Sequence, residues 1–257
     1  MKIFLSDLDN TLIYSYKHNI GKDIVLVETK DGKELSFMTS KAHMLLEKIK
    51  DEMEFIPLTT RSLEQYRRIC FSEKWRVECA LVANGGILLR NNKIDEDWYN
   101  ESLVIIENAQ EQLALGMQLL ENDANTYFEV RKVDGLFVFT KSNDVPSTRN
   151  MLETSLDLSV VSVFNNGSKV YIFPEKLNKG TALQRIRKLK NPEIIFAAGD
   201  SDFDLPMLKE ADIAIFPHKL KQFLACDKNG LVVESDKMFS DEIVDYIIKQ
   251  QKNRDDI

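Results

Sequence analysis

Apolar residues along this chain come in short blocks that stop at polar or reactive residues. A run at 3–5 ends at Ser6-Asp7, as a buried parallel strand does. Runs at 24–27 and 35–38 flank Asp31-Gly32, a hairpin signal. Ala42, Leu45, Leu46 and Ile49 recur at helical spacing. A strand at 55–58, unusual in holding Pro57, ends at Thr59-Thr60-Arg61. Ser62 with Gln65 then reads as a capping box, opening a helix whose apolar face is Leu63, Tyr66, Ile69 and Cys70. Residues 80–83 form another strand, closed by Asn84-Gly85-Gly86, and 87–90 pairs with 93–94 across Asn91-Asn92.

From Trp98 the texture changes. The pattern predicts a long helix over 103–120, strands at 127–133 and 136–141 around Asp134-Gly135, a helix at 146–156, and a hairpin joining 160–164 to 170–173. That succession is an antiparallel α+β unit. After Pro174 the alternation of strand and helix returns. Ala182, Leu183, Ile186 and Leu189 mark a helix; a strand at 194–198 ends at Gly199-Asp200. Short strands follow at 213–216 and 231–233, and Ile243, Val244, Ile247 and Ile248 mark a closing helix. The expected fold is α/β: a doubly wound, Rossmann-like parallel-sheet core from residues 1–97 and 175–257, interrupted by an inserted α+β cap at 98–174 that would govern substrate choice.

Composition narrows the partners. The 257 residues suit a core plus a smaller second domain, and a formal net charge of −7 argues against nucleic acid or an anionic membrane. It leaves room for a small anionic substrate, because a metal ion or local Lys/Arg can reverse the sign in one cleft. Cys70, Cys79 and Cys226 are scattered, the N-terminus does not read as a signal peptide, and no apolar run approaches a membrane span. A cytoplasmic protein, monomer or homodimer, is expected.

The chemistry gathers at strand ends. One strand ends in Asp7-Leu8-Asp9-Asn10-Thr11, another in Thr59, another in Asp200, and Lys179 stands just before a helix. Open parallel sheets collect such residues in one crevice. Phosphomonoesters hydrolyse very slowly unaided, and a carboxylate nucleophile splits the reaction into two displacements. Asp7 is the candidate nucleophile and Asp9 the candidate acid/base. Asp7, Asp200 and the Asp9 carbonyl offer hard oxygens to Mg²⁺, which would offset repulsion between Asp7 and phosphate. Thr59 can hold a phosphate oxygen and Lys179 can balance the negative charge. Asn84 reads either as a site residue or as a turn former, and Arg61 either as a phosphate contact or as the partner of a helix acid. Arg131, Lys132 and Lys169 either meet substrate or form a solvated face.

Four ordered motifs, DLDNT at 7–11, LTTR at 58–61, NKG at 178–180 and GDSDFDLPML at 199–208, resemble those of the haloacid dehalogenase superfamily. The cap's place between the second and third motifs resembles the type IIB branch, with its Cof-like sugar phosphatases, sucrose-phosphate and mannosyl-3-phosphoglycerate phosphatases, and phosphomannomutases. The resemblance implies catalytic Asp7, Asp9, Thr59 and Lys179, metal residues Asp7, Asp9, Asp200 and Asp204, and substrate contacts near Thr60, Arg61 and Asn84. It implies a Mg²⁺-dependent phosphatase on a small phosphorylated metabolite, a sugar phosphate or phosphosugar acid. A hexose phosphomutase and a non-catalytic phosphate-binding or signalling relative are the alternatives. Two positions depart from the family pattern: Thr60 stands where Gly is usual and Phe203 where Asn is usual.

Overall fold

The structure is a computed structural model that describes residues 1–225 and 227–255, so Cys226 lies outside the described residues. The chain divides into two compact units, Met1–Lys93 with Lys179–Ile257, and Ile94–Asn178.

The first unit is built on a five-stranded sheet in the order Gly230–Val233, Ile213–Pro217, Ile194–Ala198, Lys2–Ser6, Glu54–Pro57, parallel throughout. Its strands are near-continuous apolar runs because both faces are covered: Ile3, Phe4, Leu5, Ile195, Ala197 and Ile215 are all buried. A three-stranded antiparallel sheet is built from Tyr14–Ser15, Ile24–Lys30 and Lys33–Thr39. In its hairpin, Asp31 and Gly32 both take positive φ (51° and 74°), as the tight turn demands. A register shift flanks Glu28 in this hairpin.

The second unit has a four-stranded antiparallel sheet in the order Val161–Asn166, Lys169–Pro174, Phe137–Lys141, Arg131–Val133. Strand alternation gives it two unlike faces. Val138, Val170, Ile172, Val161 and Val163 pack with Leu113 and Leu120 of helix Gln110–Asn122 and Leu152 of helix Val145–Ser155. Gly116 lets the first of these helices close on the sheet, since a Cβ there would stand 2.4 Å from Ile172 Cδ1. Phe137, Phe139, Phe164, Tyr171 and Phe173 form the other face, with ring centroids as close as 4.5 Å.

Several expected elements differ. The helix expected over 103–120 is two helices, Glu96–Ile105 and Gln110–Asn122, joined by a turn at Glu107–Ala109. Asp95 caps the first by accepting from the Trp98 N–H, and the break lets both Ile106 and Ala109 be fully buried. The helix after Ser62 has its capping box but spans only Leu63–Tyr66. Beyond it the chain is drawn to the hairpin: Ile69 bridges Glu28 and the Cys70 N–H donates to the Val27 carbonyl. The strand expected at 127–133 is Arg131–Val133; upstream of it the Phe128 carbonyl accepts from the Thr140 hydroxyl. Among the described residues no helix is long and apolar enough to cross a membrane.

Candidate active site

The order of the parallel sheet sets where the site lies. From Lys2–Ser6 the chain passes to Glu54–Pro57 on one side and later returns to Ile194–Ala198 on the other. Such a reversal opens a crevice beyond the carboxyl ends of the strands. Asp7 and Asp200 follow the two strands that flank it, and the Asp7 N–H donates to the Ala198 carbonyl at 2.9 Å. Thr59 follows the neighbouring strand, held by its N–H to the Leu81 carbonyl at 2.9 Å.

Around Asp7 the charges are buried and unbalanced. Lys179 Nζ donates to Asp7 Oδ1 and to Asp204 Oδ1, both at 2.6 Å, with the lysine side chain 1% exposed. Burial works against the lysine's charge, but Asp204 and Asp7 more than offset it and hold its pKa above the ordinary value. Asp7, Asp200 and Asp204 each offer a carboxylate oxygen, and these atoms lie within 4.8 Å of one another. Burial pushes the Asp7 carboxyl well up; Lys179 opposes this, while Asp204, Asp200 and Asp9 add to it. Burial and the Asp204 charge push Asp200 up to about 6, against Lys219, whose Nζ stands 3.3 Å from Asp200 Oδ2. The cluster therefore resists full ionisation with its own cations alone, and hard oxygen donors in this state suit a divalent ion such as Mg²⁺.

Asp204 is the most committed of the three. Its Oδ2 accepts from the Asp200 N–H and Ser201 N–H, both at 2.9 Å, and from the Ser201 hydroxyl at 3.0 Å. It fixes the turn that carries Asp200 and, through Oδ1, the ammonium that meets Asp7. Gly199 is needed there, because a Cβ would stand 2.3 Å from Asp204 Cβ. Thr11 closes the opposite side, its hydroxyl 3.4 Å from Asp7 Oδ2.

The other half of the site is organised by Arg61. Its Nε and Nη2 donate to the two carboxylate oxygens of Asp9, each at 2.8 Å, and Nη1 reaches Glu28 Oε2 at 2.8 Å. The Arg61 N–H donates to the Thr59 hydroxyl at 3.2 Å, and the Asn84 N–H donates to the Thr59 carbonyl at 2.9 Å. Ala83 and Asn84 both sit at positive φ (50° and 58°), an uncommon conformation held here by the Ala83 N–H to Arg61 carbonyl bond.

Of the residues singled out from sequence, Asp7, Lys179, Asp200 and Asp204 are thus in one cluster, and Asp9, Thr59, Arg61 and Asn84 in the adjoining network. Thr60 is half-buried in the bend after Thr59, and Phe203 is half-buried beside Asp204. In the second unit the pair Arg131 and Lys132 is split. Arg131 registers with Phe139 on the aromatic face, its guanidinium 4.9 Å from the Phe128 ring centroid. Lys132 registers with Val138 on the helix face and donates to Gln110. Sequence reasoning passed over Glu28, Ser36 and Arg68. Glu28 lies just past the apolar run at 24–27, and the register shift beside it has no signature in the residue pattern.

Carboxylates Asp7 and Asp200 flanking the reversal of an open parallel sheet, a buried lysine that ties Asp7 to Asp204, and an inserted α+β unit together define the capped haloacid dehalogenase class of folds. A family model for haloacid dehalogenase-like hydrolases matches residues 57–216, and the chain belongs to that family. Among solved structures it is similar to the sucrose-phosphatase of Synechocystis sp. PCC6803, determined with sucrose and phosphate: TM-score 0.64, 16% identity, 96% of each chain covered. It is also similar to a subclass IIB sugar phosphatase, with TM-score 0.63, 12% identity and 100% of each chain covered. A haloacid dehalogenase-like hydrolase from B. subtilis aligns with TM-score 0.57 and 14% identity over 96% of this chain and 99% of that one. No curated protein sequence matches the chain.

Proposed function

We propose that this protein is a Mg²⁺-dependent phosphatase that hydrolyses a small phosphorylated metabolite, a sugar phosphate or phosphosugar acid, through an aspartyl-phosphate on Asp7. The observation that carries the reading is the Asp7 carboxylate in a cluster with Asp200, Asp204 and the buried ammonium of Lys179, beside the half-exposed carboxyl of Asp9. Asp7 attacks phosphorus, the bond from phosphorus to the ester oxygen breaks, and Asp9 gives its proton to the departing alkoxide. Asp9 then takes a proton from water, the water oxygen attacks phosphorus, and the bond to Asp7 breaks, freeing phosphate and restoring both acids. Lys179 holds Asp7 and offsets the charge that gathers around phosphorus. The Thr59 hydroxyl can turn toward a phosphate oxygen.

Asp7 and Asp200 would hold the divalent cation, with the Asp9 carbonyl, while Asp204 steadies them from behind. The ion would supply positive charge against the repulsion between phosphate and Asp7. The inserted unit selects the organic part of the substrate, and its aromatic face suits the apolar faces of a sugar ring.

The test is a panel of phosphorylated sugars and sugar acids, with products followed as free phosphate and as isomerised sugar phosphate. Free phosphate should appear, stop on exhaustive chelation and return with Mg²⁺. Isomerised product without free phosphate would make the protein a mutase, and full turnover by metal-free protein would remove the ion from the mechanism.

A further inference from the structure

Two groups of side chains stand outside the chemistry just described: a cleft lined by Tyr66, Arg67, Trp75 and Arg76, and the buried ion pairs around Glu28. The second carries more. We propose that Glu28 is a positioning residue for Asp9: from its hairpin it anchors one edge of the Arg61 guanidinium, whose other edge carries the Asp9 carboxylate. The proposal rests on the reading of Asp9 as the proton carrier.

Burial grades along this chain of contacts. The side chain of Glu28 is 3% exposed, that of Arg61 12% and that of Asp9 47%, so the assembly has a fixed end and a free end. The fixed end is over-determined. Glu28 Oε2 accepts from the Ser36 hydroxyl at 2.6 Å and from Arg61 Nη1 at 2.8 Å, and Oε1 accepts from Arg68 Nε at 3.0 Å. Burial alone would raise the Glu28 pKa, yet Arg61, Ser36 and Arg68 hold it below the ordinary value. It is an ionised anchor.

A guanidinium is planar and turns as one body. With Nη1 tied to Glu28, the direction of Nε and Nη2 is set, and so is the place where a two-pronged carboxylate can dock. An exposed Arg–Asp pair on its own would leave both partners to wander. Glu28 does not need to touch the substrate; it acts through Arg61. The register shift flanking Glu28 marks where this strand leaves the regular ladder.

The experiment compares two esters on Glu28→Gln, which keeps size but puts an amide among donors. On an alkyl phosphate, whose leaving group needs a proton, kcat should fall about 10²-fold, the scale of a small misplacement of a reacting group. On 4-nitrophenyl phosphate the loss should be much smaller, with KM little changed on either ester. Combined with Asp9→Asn, Glu28→Gln should add no further loss on the alkyl ester. Ser36→Ala, which removes one prop from Glu28, should give the same selective loss in weaker form and serves if Glu28→Gln does not fold. Equal losses on both esters, or additive losses in the double variant, would overturn the proposal and leave Glu28 a structural ion pair. Should Asp9→Asn itself show no dependence on the leaving group, the acid–base reading fails instead. A crystal structure of Glu28→Gln, or of Ser36→Ala in its place, then decides the coupling alone: Asp9 displaced from Arg61 supports it, and an unmoved Asp9 overturns it.

Discussion

The two units bury polarity in different ways. In the first, Asp7, Glu28, Lys179 and Asp204 are charged groups at or below 6% exposure, each engaged by an opposite charge or by hydrogen-bond donors. In the second, the buried polar side chains among the described residues are hydroxyls: Ser102, Thr140, Ser142 and Thr148. These serve geometry. Ser142 and Thr148 bond to each other at 2.8 Å, and the Thr140 hydroxyl donates to the Phe128 carbonyl at 2.7 Å. Buried charge costs desolvation that neutral hydroxyls avoid, and it is retained where a specific arrangement of charge is needed. The buried charge is thus confined to the first unit among the described residues, while the interior of the second is neutral.

The sharpest break of that contrast is Asp7→Asn. It removes the attacking charge while leaving the second unit intact, and turnover should fall roughly 10⁴–10⁶-fold with no phosphate trapped on the protein, as rapid quench and peptide mapping would read. Phospho-protein that survives this change would move the nucleophile elsewhere. Asp9→Asn comes next: about 10²–10⁴-fold on an alkyl ester and far less on an activated aryl ester, with label trapped on Asp7. Label on residue 9 in the unaltered protein would reverse the two roles.

A pH experiment sharpens the comparison from the side of stability. Asp200 has its carboxyl pushed up to about 6 by burial and by Asp204. A raised acid favours the folded state less once ionised. Cation-free protein should therefore lose stability as pH rises from the ordinary carboxylate range through about 6, and Mg²⁺ should restore it. The gain in Tm on adding Mg²⁺ should be full near neutrality and fade as pH falls below about 6. An undiminished gain in acid would mean that the ion sits away from Asp200.

The smallest effects belong to the second unit. Arg131→Ala should shift kcat/KM among sugar phosphates by about tenfold while an aryl phosphate changes little. Lys132→Ala, on the helix face, should leave preference alone and cost at most about 1 kcal/mol of stability in a denaturant melt. Equal shifts from both would mean that the two faces of the sheet are not functionally distinct.

Much of this could be read from the chain before the structure. The parallel strands announced themselves as apolar runs, three of which lead into reactive residues, Asp7, Thr59 and Asp200. The hairpins were legible from Asp31-Gly32 and Asp134-Gly135, since few residues tolerate positive φ. What escaped was set by distant contacts. Nothing local stops the helix after Tyr66; the pull of Val27 and Glu28 on residues 69–70 does. Nothing local breaks the helix near Ile106; burial of Ile106 and Ala109 does. At the site, the cluster around Asp7 follows from motifs at strand ends, whereas Arg61 was open between phosphate and an acid. Its guanidinium is engaged by Asp9 and Glu28, and the second of these sits at a register shift that residue periodicity does not encode.

The seam between the units has a practical consequence for exchange of parts. The inserted unit ends at Asn178, and the next residue is Lys179, the ammonium that grips Asp7. Anyone grafting a foreign insert must make the second splice directly beside this buried ion pair at the start of helix Lys179–Lys190. A register error of one residue there would carry the amine about 1.5 Å along the helix axis and about 100° around it, away from both carboxylates. The first splice, at Lys93, has no such neighbour in sequence. Chimeras should tolerate trimming at the first junction and fail at the second, so that a library of exchanged inserts is best varied on the upstream side.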